Sequence, residues 1–206
     1  MTVNISLTQF LSFSTKVSTS AKINEIRRIK NAPDYEPATD YWKQLRDEIK
    51  RIFEKNLPIE TLLSLSDRVS EKKRKNYSRA ISKFLLFAKN NELEYFKTGK
   101  SFWKLSDDLF VGTSPELGLI VNGKKYYVKN WYKKPANDTK VSQRNIQSAL
   151  TMMQISDCDF SKKENDQFAV LNLQNGKLIE AKPLLSEAVL ELETDARTFV
   201  DIWSRV

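Results

Sequence analysis

The stretch Leu117-Gly118-Leu119-Ile120-Val121-Asn122-Gly123-Lys124-Lys125-Tyr126-Tyr127-Val128-Lys129-Asn130-Trp131-Tyr132 decides the fold class. Leu117, Leu119 and Val121 recur every second residue, the period of a strand with one buried face. Asn122-Gly123 then supplies the pair that a type I′ turn demands, because both central positions of that turn need positive φ. Tyr126, Val128 and either Asn130 or Tyr132 continue the returning strand on one face. Tyr127, Lys129 and Trp131 occupy the other. An antiparallel hairpin in the middle of the chain excludes an all-helical protein.

On the C-terminal side, Pro135 and Asn137-Asp138 close the hairpin. Residues 139–155 then read as an amphipathic helix capped by Thr139 or Ser142, burying Val141, Ile146, Leu150 and Met153. Phe168 to Leu173, the turn Asn175-Gly176 and Leu178 to Ala181 make a second hairpin. Leu184 to Leu192 fits helix or strand, and Asp195 to Val206 is a helix burying Phe199, Val200, Ile202 and Trp203.

On the N-terminal side the period changes near Gly99, before the strand residues Leu109 and Val111, and the preceding ~96 residues read as helices. Ser6 with Gln9 is a capping-box pattern ahead of Leu7, Phe10, Leu11 and Phe13. Ser20 is positioned to cap a helix carrying Ile23, Ile26 and Ile29. Pro33, Asp34-Tyr35-Glu36 and Pro37 form a turn. A helix from Thr39 or Asp40 places Trp42, Leu45, Ile49, Ile52 and Phe53 on one stripe. Pro58 opens a short helix through Leu62, Leu63 and Leu65. A long helix from Ser70 buries Tyr77, Ile81, Phe84, Leu85 and Ala88, and exposes Lys72, Lys73, Arg74, Lys75, Arg79 and Lys83. The expected class is α+β: a helical part over residues 1–98 and a hairpin-helix-hairpin-helix part over 99–206, separate or joined in one compact unit.

Composition narrows the chemistry. With no histidine in 206 residues there is no Ser-His or Cys-His dyad and a poor basis for a zinc site. Cys158, the single cysteine, lies between Asp157 and Asp159, which disfavour a thiolate, and it has no intrachain partner. A lone cysteine fits a reducing compartment, the cytoplasm. No run of ~18 apolar residues predicts a membrane span, and Met1 to Phe13 lacks the basic flank and cleavage site of a signal peptide. No G-x-G-x-x-G or G-x-x-x-x-G-K-[ST] pattern offers a phosphate loop. No cofactor is expected.

The net charge is +8, unevenly spread. Residues 1–98 carry 19 basic and 12 acidic side chains, residues 99–135 seven and three, and residues 136–206 eight and eleven. A positive field over the first two thirds suits nucleic acid or another polyanion. Lys72, Lys73, Arg74, Lys75 and Arg79 would contact phosphates from a helix start. Lys125, Lys129 and Lys133, interleaved with Trp131, would follow a backbone while exposed rings stack on bases. The expected function is therefore non-enzymatic polyanion binding. As another reading, a protein-interaction subunit would dock a basic partner through Glu187, Glu191, Glu193 and Asp195.

Pro115-Glu116, thirteen residues before Lys129 and bracketing the Asn122-Gly123 turn, resembles the PD-(D/E)xK nucleases over residues 110–173. The resemblance implies a core of helix, β-hairpin, helix and strand. It also implies a Mg²⁺-dependent nuclease using Glu116 and Lys129, or a DNA-holding relative without activity. The chain departs from the motif at Tyr127, where an acid is expected, and a tyrosine is a poor anchor for a hard cation. Asp107 or Asp108 would have to supply the second acid. A second resemblance runs nearly end to end. Leu7-Thr8-Gln9-Phe10, Tyr35-Glu36-Pro37-Ala38-Thr39-Asp40-Tyr41-Trp42, Leu45-Arg46, Pro115-Glu116-Leu117-Gly118-Leu119 with Tyr127-Val128-Lys129, and Phe199-Val200-Asp201-Ile202-Trp203 resemble a group of small hypothetical bacterial proteins. That resemblance implies a cytoplasmic bacterial protein of one compact unit and no particular activity.

Overall fold

A computed structural model describes residues 2–33, 36–134 and 138–206. Asp34, Tyr35, Pro135 and Asn137, used above to mark turns, lie outside the described residues. The chain is α+β, built on two mixed sheets. The hairpin forms as the sequence requires: β5 (Leu117–Val121) and β6 (Lys124–Trp131) pair antiparallel from Val121↔Lys124 to Leu117↔Val128. Asn122 and Gly123 turn it with φ of 50° and 80°.

This hairpin is the middle of a five-stranded sheet in the order β2-β5-β6-β8-β9, with β2 (Leu93–Phe96), β8 (Gln167–Asn172) and β9 (Lys177–Glu180). β6 and β8 run parallel, so the chain must cross over between them, and α6 (Gln147–Ile155) lies on that crossover. A second sheet takes the order β1-β4-β3-β7, from β1 (Val3–Ser6), β3 (Ser101–Leu105), β4 (Leu109–Gly112) and β7 (Asp157–Cys158), with β1 parallel to β4.

Because both faces of β6 are covered, its side chains divide between two cores. Tyr127 and Trp131, with Phe168 and Val170 of β8, face a core formed with β1, β3, β4, α1 (Leu7–Ser14), α2 (Thr19–Lys30), α6 and α7 (Ser186–Arg205). Tyr126, Val128 and Tyr132, with Leu117, Leu119 and Leu171, face a core formed with α3 (Lys43–Glu54), the 3-10 turn Ile59–Ser64, α4 (Leu65–Arg68) and α5 (Glu71–Lys89). The expected boundary near residue 98 therefore separates no cores: β1, α1 and α2 pack with the C-terminal elements, and α3 to α5 pack on the hairpin.

Local signals held in several places. Ser6 Oγ accepts from Gln9 N at 3.3 Å while Gln9 Oε1 accepts from Ser6 N at 2.8 Å, closing the capping box. Trp42 stacks between Tyr77 and Tyr132, each with centroids 5.2 Å away. Other expectations are corrected. The N-terminal part is not wholly helical, since β1 and β2 belong to it. Ser18 rather than Ser20 caps α2, accepting from Ala21 N at 3.2 Å. The helix expected over 139–155 begins only at Gln147, with Thr139 instead bridged to Lys16 in β fashion. Phe87, not Leu85 or Ala88, completes the buried stripe of α5. Leu184–Leu192 resolves as the start of α7, helical from Ser186.

Candidate nucleic-acid interface

The basic residues singled out in the sequence fall into two environments. Along α5, Lys72, Lys75 and Arg79 follow a spacing of three and four, which puts them on one stripe opposite the buried Tyr77, Ile81 and Phe84. Lys72, Arg74 and Lys75 are exposed and Arg79 is half-buried. Lys73 turns toward the core side and lies over the Tyr41 ring, 5.3 Å from its centroid. Among the described residues, none of these five cations forms a salt bridge with an acidic side chain. Lys72, Arg74 and Lys75 offer their charge to solvent.

The hairpin is the opposite case and corrects the expectation of a stacking platform. Trp131 is only 2% exposed. Tyr127 is buried too, its ring stacked on Phe160 and Phe168 at 4.7 and 5.1 Å. No base can reach either ring from solvent. The cations between them are engaged internally. Lys125 donates to Asp166 at 2.8 Å, and although burial alone would lower its pKa, that carboxylate and Tyr127 hold it above its ordinary value. Lys129 is 8% exposed and donates to Glu116 Oε1. Lys133 leaves the strand and donates to Ser12 Oγ at 2.6 Å.

Glu116, the carboxylate of the nuclease-like pattern, is saturated by its neighbours. Oε1 takes the Lys129 ammonium and Oε2 accepts from Tyr132 Oη at 2.8 Å. Burial, reinforced by Glu116, pushes the Tyr132 phenol well above its ordinary value. Arg46, paired with Asp40, stands on the same side; burial opposes its charge, but Asp40 and Glu116 outweigh burial and raise its pKa. Tyr127 takes the place of the second acid as a core side chain. Asp107 and Asp108 are exposed on the turn between β3 and β4, in the other sheet. Among the described residues no group of three or more His, Cys, Asp or Glu side chains is placed to hold a metal ion. This donor set does not fit Mg²⁺. Cys158 is half-buried, and burial, more than its acidic flanks, pushes its thiol up.

Sequence reasoning missed one assembly. Lys133 does not extend a basic strip along the hairpin but enters a hollow of about 300 Å³ shared with Lys16, Glu25, Arg28 and Lys134. Lys16 and Arg28 lie more than a hundred residues away along the chain, and only the seating of α1 and α2 against the segment after β6 brings them there. The acidic surface is corrected as well: Asp195 is half-buried, accepting from Ser148 Oγ at 2.6 Å and facing Lys22 at 3.4 Å, while Glu187 and Glu191 are exposed.

No helix among the described residues is long and apolar enough to cross a membrane. No protein-family model matches the chain, and no curated protein matches it significantly.

Proposed function

We propose that the protein binds nucleic acid through the exposed stripe of α5 and catalyses no cleavage of its own, in the bacterial cytoplasm. The observation that carries the reading is the contrast between basic groups: every singled-out cation on and just after the hairpin is engaged internally, whereas the exposed Lys72, Arg74 and Lys75 and the half-buried Arg79 have no acidic partner among the described residues. From Lys72 to Lys83 the stripe runs about 16 Å at 1.5 Å per residue. That length tracks roughly five nucleotides at the 3.4 Å spacing of one strand.

The order of elements lends further support. Within residues 110–173 the β5–β6 hairpin is followed by α6, and β8 returns parallel to β6. Hairpin, helix and strand follow the order implied by the resemblance to PD-(D/E)xK nucleases without its leading helix, with Tyr127 in the acid's place and Glu116 committed to Lys129. Holding without cutting accords with that arrangement. The single cysteine accords with a reducing compartment.

The test is a fluorescence-anisotropy titration with labelled single- and double-stranded DNA and RNA at 50 and 200 mM salt. With four or five phosphates neutralised, affinity should fall roughly 10²- to 10³-fold between the two salts. Reversing Lys72, Arg74, Lys75 and Arg79 together to Glu should abolish binding, while Lys125→Gln should leave it within about twofold. Absence of binding at 50 mM salt, or binding that survives the fourfold reversal, refutes the proposal.

A second reading has its own observation. Leu184, Leu185 and Leu190 are exposed around the first turns of α7, beside Glu187 and Glu191. An apolar patch edged by carboxylates supports a docking site for a basic protein partner. Co-purification of a single partner lost in Leu190→Glu would support it.

A further inference from the structure

We infer that the hollow between α1, α2 and the segment following β6 is a binding site for a small phosphomonoester. Its volume of about 300 Å³ lies at the lower end of the range for small-molecule pockets, with room for a phosphate carried on an organic group. Four cations line it, Lys16, Arg28, Lys133 and Lys134, against one carboxylate, Glu25.

That carboxylate is already shared. Arg28 grips Glu25 through both oxygens, at 2.6 and 3.2 Å, and Lys133 reaches the same group at 3.6 Å. Lys16 is left to a hydroxyl, Thr139 Oγ1, at 2.9 Å. Positive charge is therefore in surplus inside a concave wall; the next carboxylate, Asp138 in the adjoining hollow, accepts from Ser18 Oγ at 2.9 Å. The strain shows in Lys133, whose pKa is lowered by partial burial and by Arg28 and Lys16, against the pull of Glu25. Trp131 lies in the wall. Its indole Nε1 is buried and has no hydrogen-bond partner among the described residues.

The ligand class follows from these groups. Several converging ammonium and guanidinium donors suit a dianionic phosphate better than a carboxylate, which carries one charge and two oxygens. Ser12 and Thr15 complete the lining beside the cations. Lys133 and Arg28 remain partly open to solvent, so the hollow is reachable.

The test uses the full chain with inorganic phosphate, a nucleoside 5′-monophosphate and the matching nucleoside, at constant ionic strength in chloride. Thermal unfolding and tryptophan fluorescence report binding. The phosphate and the monophosphate should raise Tm in a concentration-dependent way, the monophosphate at lower concentration, and the nucleoside should not. Lys133→Met should abolish the shift, and Lys16→Gln should weaken binding at least tenfold; the second variant decides the matter if the first does not fold. Lys55→Gln, on an exposed residue beyond α3, and the fourfold reversal on α5 should bind phosphate as the parent chain does, which separates this site from the nucleic-acid reading. No ligand-dependent shift in the parent chain, or an equal shift in Lys133→Met and Lys16→Gln, overturns the inference.

Discussion

The carboxylate of Glu116, at the foot of β5, closes on the ammonium of Lys129 across the hairpin, and both groups are almost wholly out of water. The two side chains that the sequence offered as a catalytic pair are thereby a structural ion pair. Each satisfies the other, with Tyr132 completing the carboxylate. Glu116→Gln leaves the Lys129 charge buried without a counter-ion and should destabilise the fold by about 3–5 kcal/mol. Glu116→Leu combined with Lys129→Met should recover most of that loss, because the desolvation of both charges disappears together. Urea denaturation of Glu116→Leu, Lys129→Met and the double variant measures the coupling.

Gly118 shows how close β2 comes to β5. A Cβ placed there would lie 2.4 Å from the Phe96 carbonyl oxygen and 2.6 Å from its ring. Backbone cannot yield as a flexible side chain can, so Gly118→Ala should cost about 1–3 kcal/mol. Thermal unfolding should show it, and amide exchange should show Phe96 deprotected before the rest of the sheet.

Glu48 ties α3 to α4. It accepts from Arg51 at 2.9 and 2.8 Å and from Arg68 at 2.8 Å. The Arg51 hydrogen bonds, opposed by burial and aided by Arg68, hold its carboxyl down at about 2. A carboxyl lowered by folding contributes stability that is complete above its unfolded value, near 4.5, and is lost as pH falls toward about 2. With solvent screening of the two arginines, the contribution is on the order of 2 kcal/mol. Acid-denaturation curves of Glu48→Gln should lose this part of the pH dependence and converge with the parent chain at low pH.

Lys133 gives a dependence of the same sign at the alkaline end of the scale, from a penalty on its charged form rather than a gain. Its folded pKa lies below the ordinary 10.5, so in the interval between the two values the unfolded chain binds more protons and stability rises with pH. The groups facing it are Glu25, Arg28, Lys16 and Lys134. Lys133→Met should flatten that rise, read as the difference in unfolding free energy between the two chains as pH approaches 10.5 from below. Bound phosphate should flatten it in the parent chain as well.

The parts of the fold legible in the sequence are those whose signals are local. Asn122-Gly123 fixed a turn, Ser6 with Gln9 fixed a cap, and the Tyr77-Ile81-Phe84 spacing fixed the inner face of α5. β1 was not legible, because Val3 and Ile5 form a two-point pattern whose meaning comes from pairing with Leu109 to Gly112, over a hundred residues away. The site fared likewise. In a strand buried on both faces, alternation of aromatics and lysines looks the same whether one face meets water or a second core. For that reason the sequence leaves open whether Lys129 and Trp131 meet water or a core. The α5 cations were legible because a helix with one buried stripe exposes what lies opposite it.

Sharing β6 between two cores also sets a schedule for synthesis. β1, α1 and α2 are made early, yet Ile26 and Ile29 belong to the same core as Phe199 and Ile202, some 170 residues later. At ~5–20 residues per second, those early segments wait roughly 10–35 seconds on the ribosome with apolar faces uncovered. The yield of a chain with this topology should respond to elongation rate more than to the intrinsic stability of any one helix.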